Sequence, residues 1–486
     1  MSKDLFSVLS IIIIIANSIF IITAILFERK KPIRALSWIL ALTLLPVAGF
    51  VLYLVFGRPI NFKKKKFHIK NHKDVEYSRE IYRTLGKVSY DETMFSEPYN
   101  DYVKQLINFN INLSQSPFTN DNRVEIFTKT QEKYDALLRD IEGAETSIHM
   151  LYFIIKNDSI GSKIINALAL KAKAGVTVRV LFDHGQNLLL PYNAFKPIID
   201  SGGEALSFFS NSIDNYLKAN YRNHRKIVVI DGKIGYVGGI NIGDEYLGYH
   251  KRITPWRDTH LRITGSSVYC LQLRFMTDWI YASKKEVDFG SLDKYFRPIS
   301  SEDRGNVAVQ MVSSGPDTNA EEVKRGIVKM INSAKCSILI QTPYFVPDDS
   351  VLEALQNAAV SGVNVIIQIP EVPDKRLVYK VTTSFIEDVM EFGVKVFLYP
   401  GFLHAKMIVI DDTCCSIGSA NMDMRSFSLD FEINAFMYGH NITEKCSGIF
   451  YNDLKTCRLV TEESYKNRGV ISKVTENICR LLSPLL

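Results

Sequence analysis

The sequence predicts a duplicated α/β protein, with two similar lobes placed after an N-terminal two-helix membrane hairpin. Three observations predict it. Two long uncharged apolar runs open the chain of 486 residues. From residue 122 onward one pattern of helix and strand is written twice. Within each copy strands alternate with helical stretches, the arrangement that folds as helices packed on a largely buried sheet. The length by itself asks for two or three domains.

The apolar runs come first. Residues 5–27 are 23 positions without a charge, and residues 35–56 are 22. Each is long enough to cross a bilayer as a helix. The first exceeds a signal-peptide core, and no small-x-small cleavage site follows it. Trp38 and Tyr53 lie near the ends of the second run, where interfacial aromatics belong. Pro46 is expected to kink that helix without excluding it. The turn between the runs carries Arg29, Lys30, Lys31 and Arg34, whereas the outer flanks carry Lys3, Arg58, the four lysines at 63–66, Lys70 and Lys73. Eight basic residues against four favour both termini, and the catalytic part with them, on the cytoplasmic side of a cell membrane; the alternative is a shallow hairpin that does not fully span. The lysines at 63–66 add a hold on anionic headgroups worth roughly 1 kcal/mol per residue.

The net charge of +6 is concentrated beside this membrane segment, so it does not call for a nucleic-acid partner. The seven cysteines show neither disulfide-framework spacing nor a metal-ligand cluster, which fits reduced thiols in a cytoplasmic domain. Residues 1–57 therefore read as the membrane unit and 58–121 as a basic juxtamembrane connector that fits neither copy of the repeat.

The first lobe is assigned to residues 122–300 and the second to 301–486. Residues 136–150 align with 326–340, each a helical pattern, a small turn and a strand. Tyr152-Phe153 and Tyr344-Phe345 follow. Residues 171–183 then match 357–370, residues 224–241 match 404–421, residues 257–265 match 431–439, and residues 275–278 match 450–453. Chance similarity between α/β units explains one such pair, not five in the same order.

Both copies contain His-x-Lys-x4-Asp, as His224, Lys226 and Asp231 and again as His404, Lys406 and Asp411. Each continues into a Gly-rich stretch ending at Asn241 or Asn421. Residues two apart on a strand share a face, so each histidine lies beside its lysine. A two-residue hairpin turn at 232–233 would pair 231 with 234 and set 224 opposite 241; the same register sets 404 opposite 421. Gly238, Gly239 and Gly418 would then let a ligand approach the backbone. This set suits a phosphodiester. Lysine meets the non-bridging oxygens as a point charge, and asparagine donates hydrogen bonds to them. Histidine attacks phosphorus or carries a proton. Asp231 and Asp411 belong to the same catalytic motif but close the hairpins, so they read as supports rather than proton carriers. Each histidine needs an orienting carboxylate on its other ring nitrogen. The repeat offers Asp258 and Glu432, 34 and 28 residues downstream of His224 and His404.

At these residues the chain resembles the phospholipase D superfamily, through HRKIVVID with GGIN and HAKMIVID with GSANMDMRSF. More closely it resembles bacterial cardiolipin synthases, through the N-terminal apolar pair, QTPYFVPD (341–348), PGFLHAK (400–406), WRDTHLRI (256–263) and ENICRLLSPLL (476–486). The resemblance implies two phospholipase-D-like lobes, each half of a duplicated mixed sheet with flanking helices, sharing one bilobal site. It implies phosphatidyl transfer between two phosphatidylglycerol molecules, giving cardiolipin and glycerol, with no metal or other cofactor. His224 would be the nucleophile and His404 the acid–base. Leu151 departs from the pattern, since an acidic residue is expected there. A phospholipase D or another phosphatidyltransferase, using water or another alcohol, would need the same residues. A nuclease is disfavoured by the membrane segments, and a non-catalytic scaffold by two intact motifs.

Overall fold

The computed structural model describes residues 3–27, 32–56, 101–185, 187, 193–209, 221–249, 253–283, 294–318, 320–481 and 483. The basic turn at 28–31 and the lysines at 63–66 lie outside these residues. The first apolar run is one helix, Lys3–Phe27. The second is split by Pro46 into Pro32–Leu44 and Pro46–Phe56. Proline cannot donate to the carbonyl four residues back, here that of Leu42. Asn17 supplies the missing donor: its Nδ2 reaches Leu42 O at 3.3 Å and Pro46 O at 2.9 Å. Trp38, Leu42 and Tyr53 bury against Phe20 and Ile21, which fastens the three helices together. Among the described residues no helix is long and apolar enough to cross a membrane.

The first lobe contributes β1 (Thr119–Phe127), β2 (Ser147–Tyr152), β3 (Thr177–Asp183), β4 (Glu204–Phe208), β5 (Arg222–Asn223), β6 (Ile227–Ile230), β7 (Ile234–Gly238), β8 (Trp256–Arg257) and β9 (His260–Thr264). The second contributes β10 (Val307–Ser314), β11 (Ser337–Gln341), β12 (Phe345–Val346), β13 (Asn364–Pro370), β14 (Lys395–Tyr399), β15 (Phe402–Leu403), β16 (Met407–Ile410), β17 (Cys414–Gly418), β18 (Met422–Asp423), β19 (Asp430–Tyr438) and β20 (Arg458–Leu459). Among the described residues 16 of these strands form one sheet, in the order β20-β14-β13-β11-β16-β17-β19-β10-β1-β9-β7-β6-β2-β3-β4, with β5 added onto β19.

The order reads the same outward from its centre. There β1 and β10 pair antiparallel, and the repeats of β9, β7, β6, β2, β3 and β4 are β19, β17, β16, β11, β13 and β14. In each lobe β2, β3 and β4, or their repeats β11, β13 and β14, run parallel, and the inner strands and the edge strand β20 pair antiparallel, so the sheet is mixed. Its central strands read as continuous apolar runs because both faces are covered; all four residues of β6 and of β16 are buried.

One core joins the lobes. It packs Leu261 and Phe275 of the first with Val309, Ile433 and Phe450 of the second, between the helices Val268–Ser283 and His440–Leu454. A second core fills the outer face of the second lobe. The helix Asp101–Ser114, whose sequence lies in the expected connector, packs there through Val103, Leu106 and Ile107.

The hairpin register differs from expectation. Ile230 pairs with Ile234 and Ile410 with Cys414, so each turn holds three residues rather than two. Asp231 and Asp411 open these turns in the left-handed region, with φ of 55° and 49°. Each carboxylate repays that conformation by accepting backbone N–H groups at the start of a neighbouring strand: Glu145, Thr146 and Ser147 for Asp231, and Lys335, Cys336 and Ser337 for Asp411. The extra turn residue shifts the pairing by one position, so 224 and 241 are not cross-strand partners.

Candidate active site

Two short strands bring the histidines to the boundary between lobes. β5, just before His224, pairs in parallel with the start of β19; β15, just before His404, pairs in parallel with β8. Backbone hydrogen bonds continue both pairings, from His224 N to Phe431 O at 3.0 Å and from His404 N to Arg257 O at 2.6 Å. Each histidine is thereby laid beside the carboxylate-bearing segment of the opposite lobe.

The side chains follow. His224 Nδ1 lies 2.9 Å from Glu432 Oε1, and His404 Nδ1 lies 2.6 Å from Asp258 Oδ2. This corrects the pairing implied by the repeat, in which each histidine would use its own lobe's carboxylate. Both carboxylates are fully enclosed. Burial alone would raise them, but His404 and Lys406 bring Asp258 below its ordinary value, as His224 and Lys226 do for Glu432. They remain ionised acceptors, so Nδ1–H donates and Nε2 is left for substrate. Burial pushes His224 from 6.5 to about 4, with Glu432 opposing the shift and Lys226 adding to it. His404 is also pushed to about 4, by burial and then Lys406, with Asp258 opposing. Ser419 Oγ donates to the other oxygen of Glu432, at 2.5 Å.

Lys226 and Lys406 each donate from Nζ to the carbonyl oxygen of their own histidine, at 2.5 Å. Burial lowers Lys226 to about 7 and Lys406 to about 8. Each lysine acts electrostatically on the opposite lobe's histidine, so the four groups make one charged centre. A bound anion would restore both ammonium charges. The walls are aromatic. Phe153 meets His224 edge-on at 4.6 Å, and Trp256 lies 5.2 Å from His404.

Asn241 and Asn421 are buried, but they arrive through loops rather than by cross-strand pairing. Asn241 Oδ1 accepts from Ile154 N at 3.2 Å, next to the Phe153 that walls His224. Asn421 Oδ1 is buried without a hydrogen bond. The glycines make room for protein groups, not for a ligand: a Cβ on Gly239 would strike the Asp258 carboxylate, and one on Gly418 the Asn434 amide. Asp231 and Asp411 lie at the far ends of their strands and are not brought to the histidines. Leu151 pairs with Ile227 inside the inter-lobe core, where an acid would be buried among apolar side chains. Among the described residues no cluster of His, Cys, Asp and Glu could hold a metal ion.

Two arginines went unnoticed in the sequence because each lacks a counterpart in the repeat. Arg225 is fully buried. It donates from Nε to Glu432 O at 3.1 Å and from Nη1 to both oxygens of Asp278, at 3.0 and 2.7 Å. Arg257 donates from Nη1 to Asp258 O and pairs with Asp453 through Nη2 at 2.9 Å. So the backbone of each orienting carboxylate is held by an arginine anchored on an aspartate. Asp278 and Asp453 are equivalent in the repeat (FMTD and FYND), whereas the arginines are not.

Comparison with known proteins agrees with this architecture. A family model described as cardiolipin synthase, PLD-like domain, matches residues 137–252 and 327–454. A phospholipase D–nuclease N-terminal model matches residues 9–58. The chain is 42% identical over 482 residues to the major cardiolipin synthase ClsA of Bacillus subtilis strain 168, covering 99% of each. It is 39% identical over 486 residues to a cardiolipin synthase of Listeria monocytogenes serotype 4a strain HCC23, covering 99% of this chain and 100% of the relative. The crystal structure of a phosphatidylserine synthase from Haemophilus influenzae Rd KW20 shares the fold, with a TM-score of 0.59 at 15% identity over 79% of this chain and all of the other. Duplicated lobes, paired motifs and full-length relatives together place the chain in the cardiolipin synthase family, with two phospholipase-D-like domains.

Proposed function

We propose that the chain transfers a phosphatidyl group from one phosphatidylglycerol to another at a membrane surface, releasing cardiolipin and glycerol. The observation that supports this reading is the crossed arrangement of two histidines. Each is oriented by an ionised carboxylate of the opposite lobe, and each has a lysine bonded to its own carbonyl oxygen. In the first step His224 Nε2 attacks phosphorus, the phosphorus–glycerol oxygen bond breaks, and His404 gives its Nε2 proton to the departing oxygen. In the second step a glycerol hydroxyl of the second lipid gives its proton to His404 and attacks phosphorus, breaking the nitrogen–phosphorus bond. Lys226, Lys406, Asn241 and Asn421 hold the non-bridging oxygens. The diester's charge raises His404 towards its protonated form, with Asp258 stabilising the imidazolium. The shorter carboxylate contact at His404, 2.6 Å against 2.9 Å, favours the acid–base role there.

In this reading residues 1–57 form the membrane hairpin, 58–121 the connector, and 122–300 and 301–486 the lobes, facing the cytoplasm. The exposed isoleucines of the first helix, among them Ile11, Ile12, Ile15 and Ile19, support a lipid surrounding. The test is to incubate the purified full chain with phosphatidylglycerol vesicles and identify the products. Equal amounts of cardiolipin and glycerol are expected. Phosphatidic acid would assign water as the acceptor, and no turnover would remove the reading.

A further inference from the structure

The helix Val470–Arg480 is turned inside out for a water-soluble surface. Val470, Ile471, Val474, Ile478 and Leu481 are 76, 84, 52, 60 and 80% exposed. At about 100° per residue they fall on a single stripe about 100° wide, the width a globular helix normally buries. The face turned towards the protein is polar instead. Lys380 Nζ donates to Ser472 Oγ at 2.8 Å and pairs with Glu476 at 3.5 Å. Glu476 also pairs with Arg468 and is 4% exposed. Arg480 donates to Ser384 O at 3.1 Å and pairs with Asp388. These ion pairs hold the helix on the helices Arg376–Ser384 and Ile386–Met390, and they fix the apolar stripe outward.

Its position ties it to the site. Thr382, on the supporting helix, accepts at Oγ1 from Phe345 N at 3.3 Å. Phe345 opens β12, which pairs with β18, and β18 starts next to Asn421. Charge favours an anionic partner: Lys375 and Arg376 are exposed at the start of the supporting helix, and residues 462–486 carry Lys466, Arg468, Lys473 and Arg480 against Glu462, Glu463 and Glu476. The sequence past the helix stays apolar, with Leu482, Pro484, Leu485 and Leu486.

We infer that this helix is a second membrane-docking element. It lies in the plane of an anionic bilayer surface with its apolar stripe at the boundary of headgroups and acyl chains, on the side of the second lobe that carries β12 and β18. The inference rests on the membrane reading above for its partner, but not on the reaction.

The test uses the full chain reconstituted in vesicles of phosphatidylglycerol and a phosphatidylcholine carrying a photoactivatable acyl chain, with adducts mapped by mass spectrometry. Adducts are expected on Val470, Ile471, Val474, Ile478 and Leu481, and not on Ser472 or Glu476. In the double variant Ile471→Ser/Ile478→Ser, labelling of this helix should fall about tenfold or more. Labelling within residues 1–57 should stay unchanged, which shows the chain still inserted. Labelling needs no turnover, so an inactive but labelled chain would sink the proposed reaction and leave the docking helix standing. An unlabelled helix on an inserted chain overturns the inference.

Discussion

The two lobes repeat one strand order outward from β1 and β10, yet they equip the site they share unequally. Each supplies one histidine, one lysine and one orienting carboxylate, and each carboxylate serves the other lobe's histidine. The arginines behind those carboxylates both come from the first lobe. Arg225 holds Glu432, and Arg257 holds Asp258; the positions equivalent to them in the second lobe are Ala405 and Phe431. The second lobe spends its polarity elsewhere. Gln341 bonds Gln368 and Asp453, where the first lobe has buried Leu151 and Leu181. The difference teaches that the twofold governs the reacting groups and not the scaffold that aims them. A duplicated chain can keep two equal chemical arms while each arm depends on the other half for its orientation.

The largest effect should come from breaking the crossing. Glu432→Gln should lower kcat by about 100-fold or more, because Nδ1 of His224 loses its anionic acceptor, and an amide that can turn its NH2 inward no longer fixes the tautomer. Ring-nitrogen shifts from isotope-labelled histidine should change at His224 and stay unchanged at His404. Asp258→Asn should do the reverse. If each variant instead perturbed the histidine of its own lobe, the crossed geometry would be wrong.

The next effect is on stability. Arg225→Met takes the two-pronged partner from Asp278 and leaves it only Arg274 at 3.3 Å and the Asn223 amide, a loss of about 1.5–3 kcal/mol in chemical denaturation. Adding Asp278→Asn should recover part of that loss. No recovery would mean that Arg225 acts through the carbonyl oxygens of Glu432 and Ser314 instead.

A smaller effect follows from titration. Both site imidazoles have folded values near 4, below the unfolded 6.5. The unfolded chain therefore binds protons first as pH falls. The stability these groups contribute is complete above 6.5 and is lost progressively as pH falls towards about 4. The melting temperature should drop further between pH 7 and 4.5 in the wild type than in His224→Asn/His404→Asn. Equal drops would show that other groups carry the acid sensitivity. The smallest expected effect is that of chelation: turnover in excess chelator should match the untreated rate, and loss restored by magnesium would contradict the metal-free reading.

Much of this was legible because the chain states its pattern twice. The repeat exposed the lobes, the paired histidines and lysines, and Asp258 and Glu432 as equivalents. It could not reveal the crossing, since alignment measures position along the chain, while β5 and β15 reach over to strands of the other lobe. The same logic hid Arg225 and Arg257, which have no repeat partners. The hairpin register was missed for a local reason. Aspartate at positive φ, held by three backbone N–H groups, lengthens each turn by one residue. The helix Asp101–Ser114 went unread because its apolar residues take meaning only from the second-lobe core they fill.

The central claim is that two histidines in one cleft divide the reaction, one bonding to phosphorus and the other moving the proton. The most direct measurement is to mix His404→Asn with phosphatidylglycerol labelled in the phosphate, quench under alkaline conditions, and map the label by mass spectrometry. The account predicts a phosphatidyl adduct on His224 that persists, because its breakdown needs the missing base, and none in His224→Asn. Label on His404 in the wild type, or wild-type turnover with no adduct at either histidine, would contradict it.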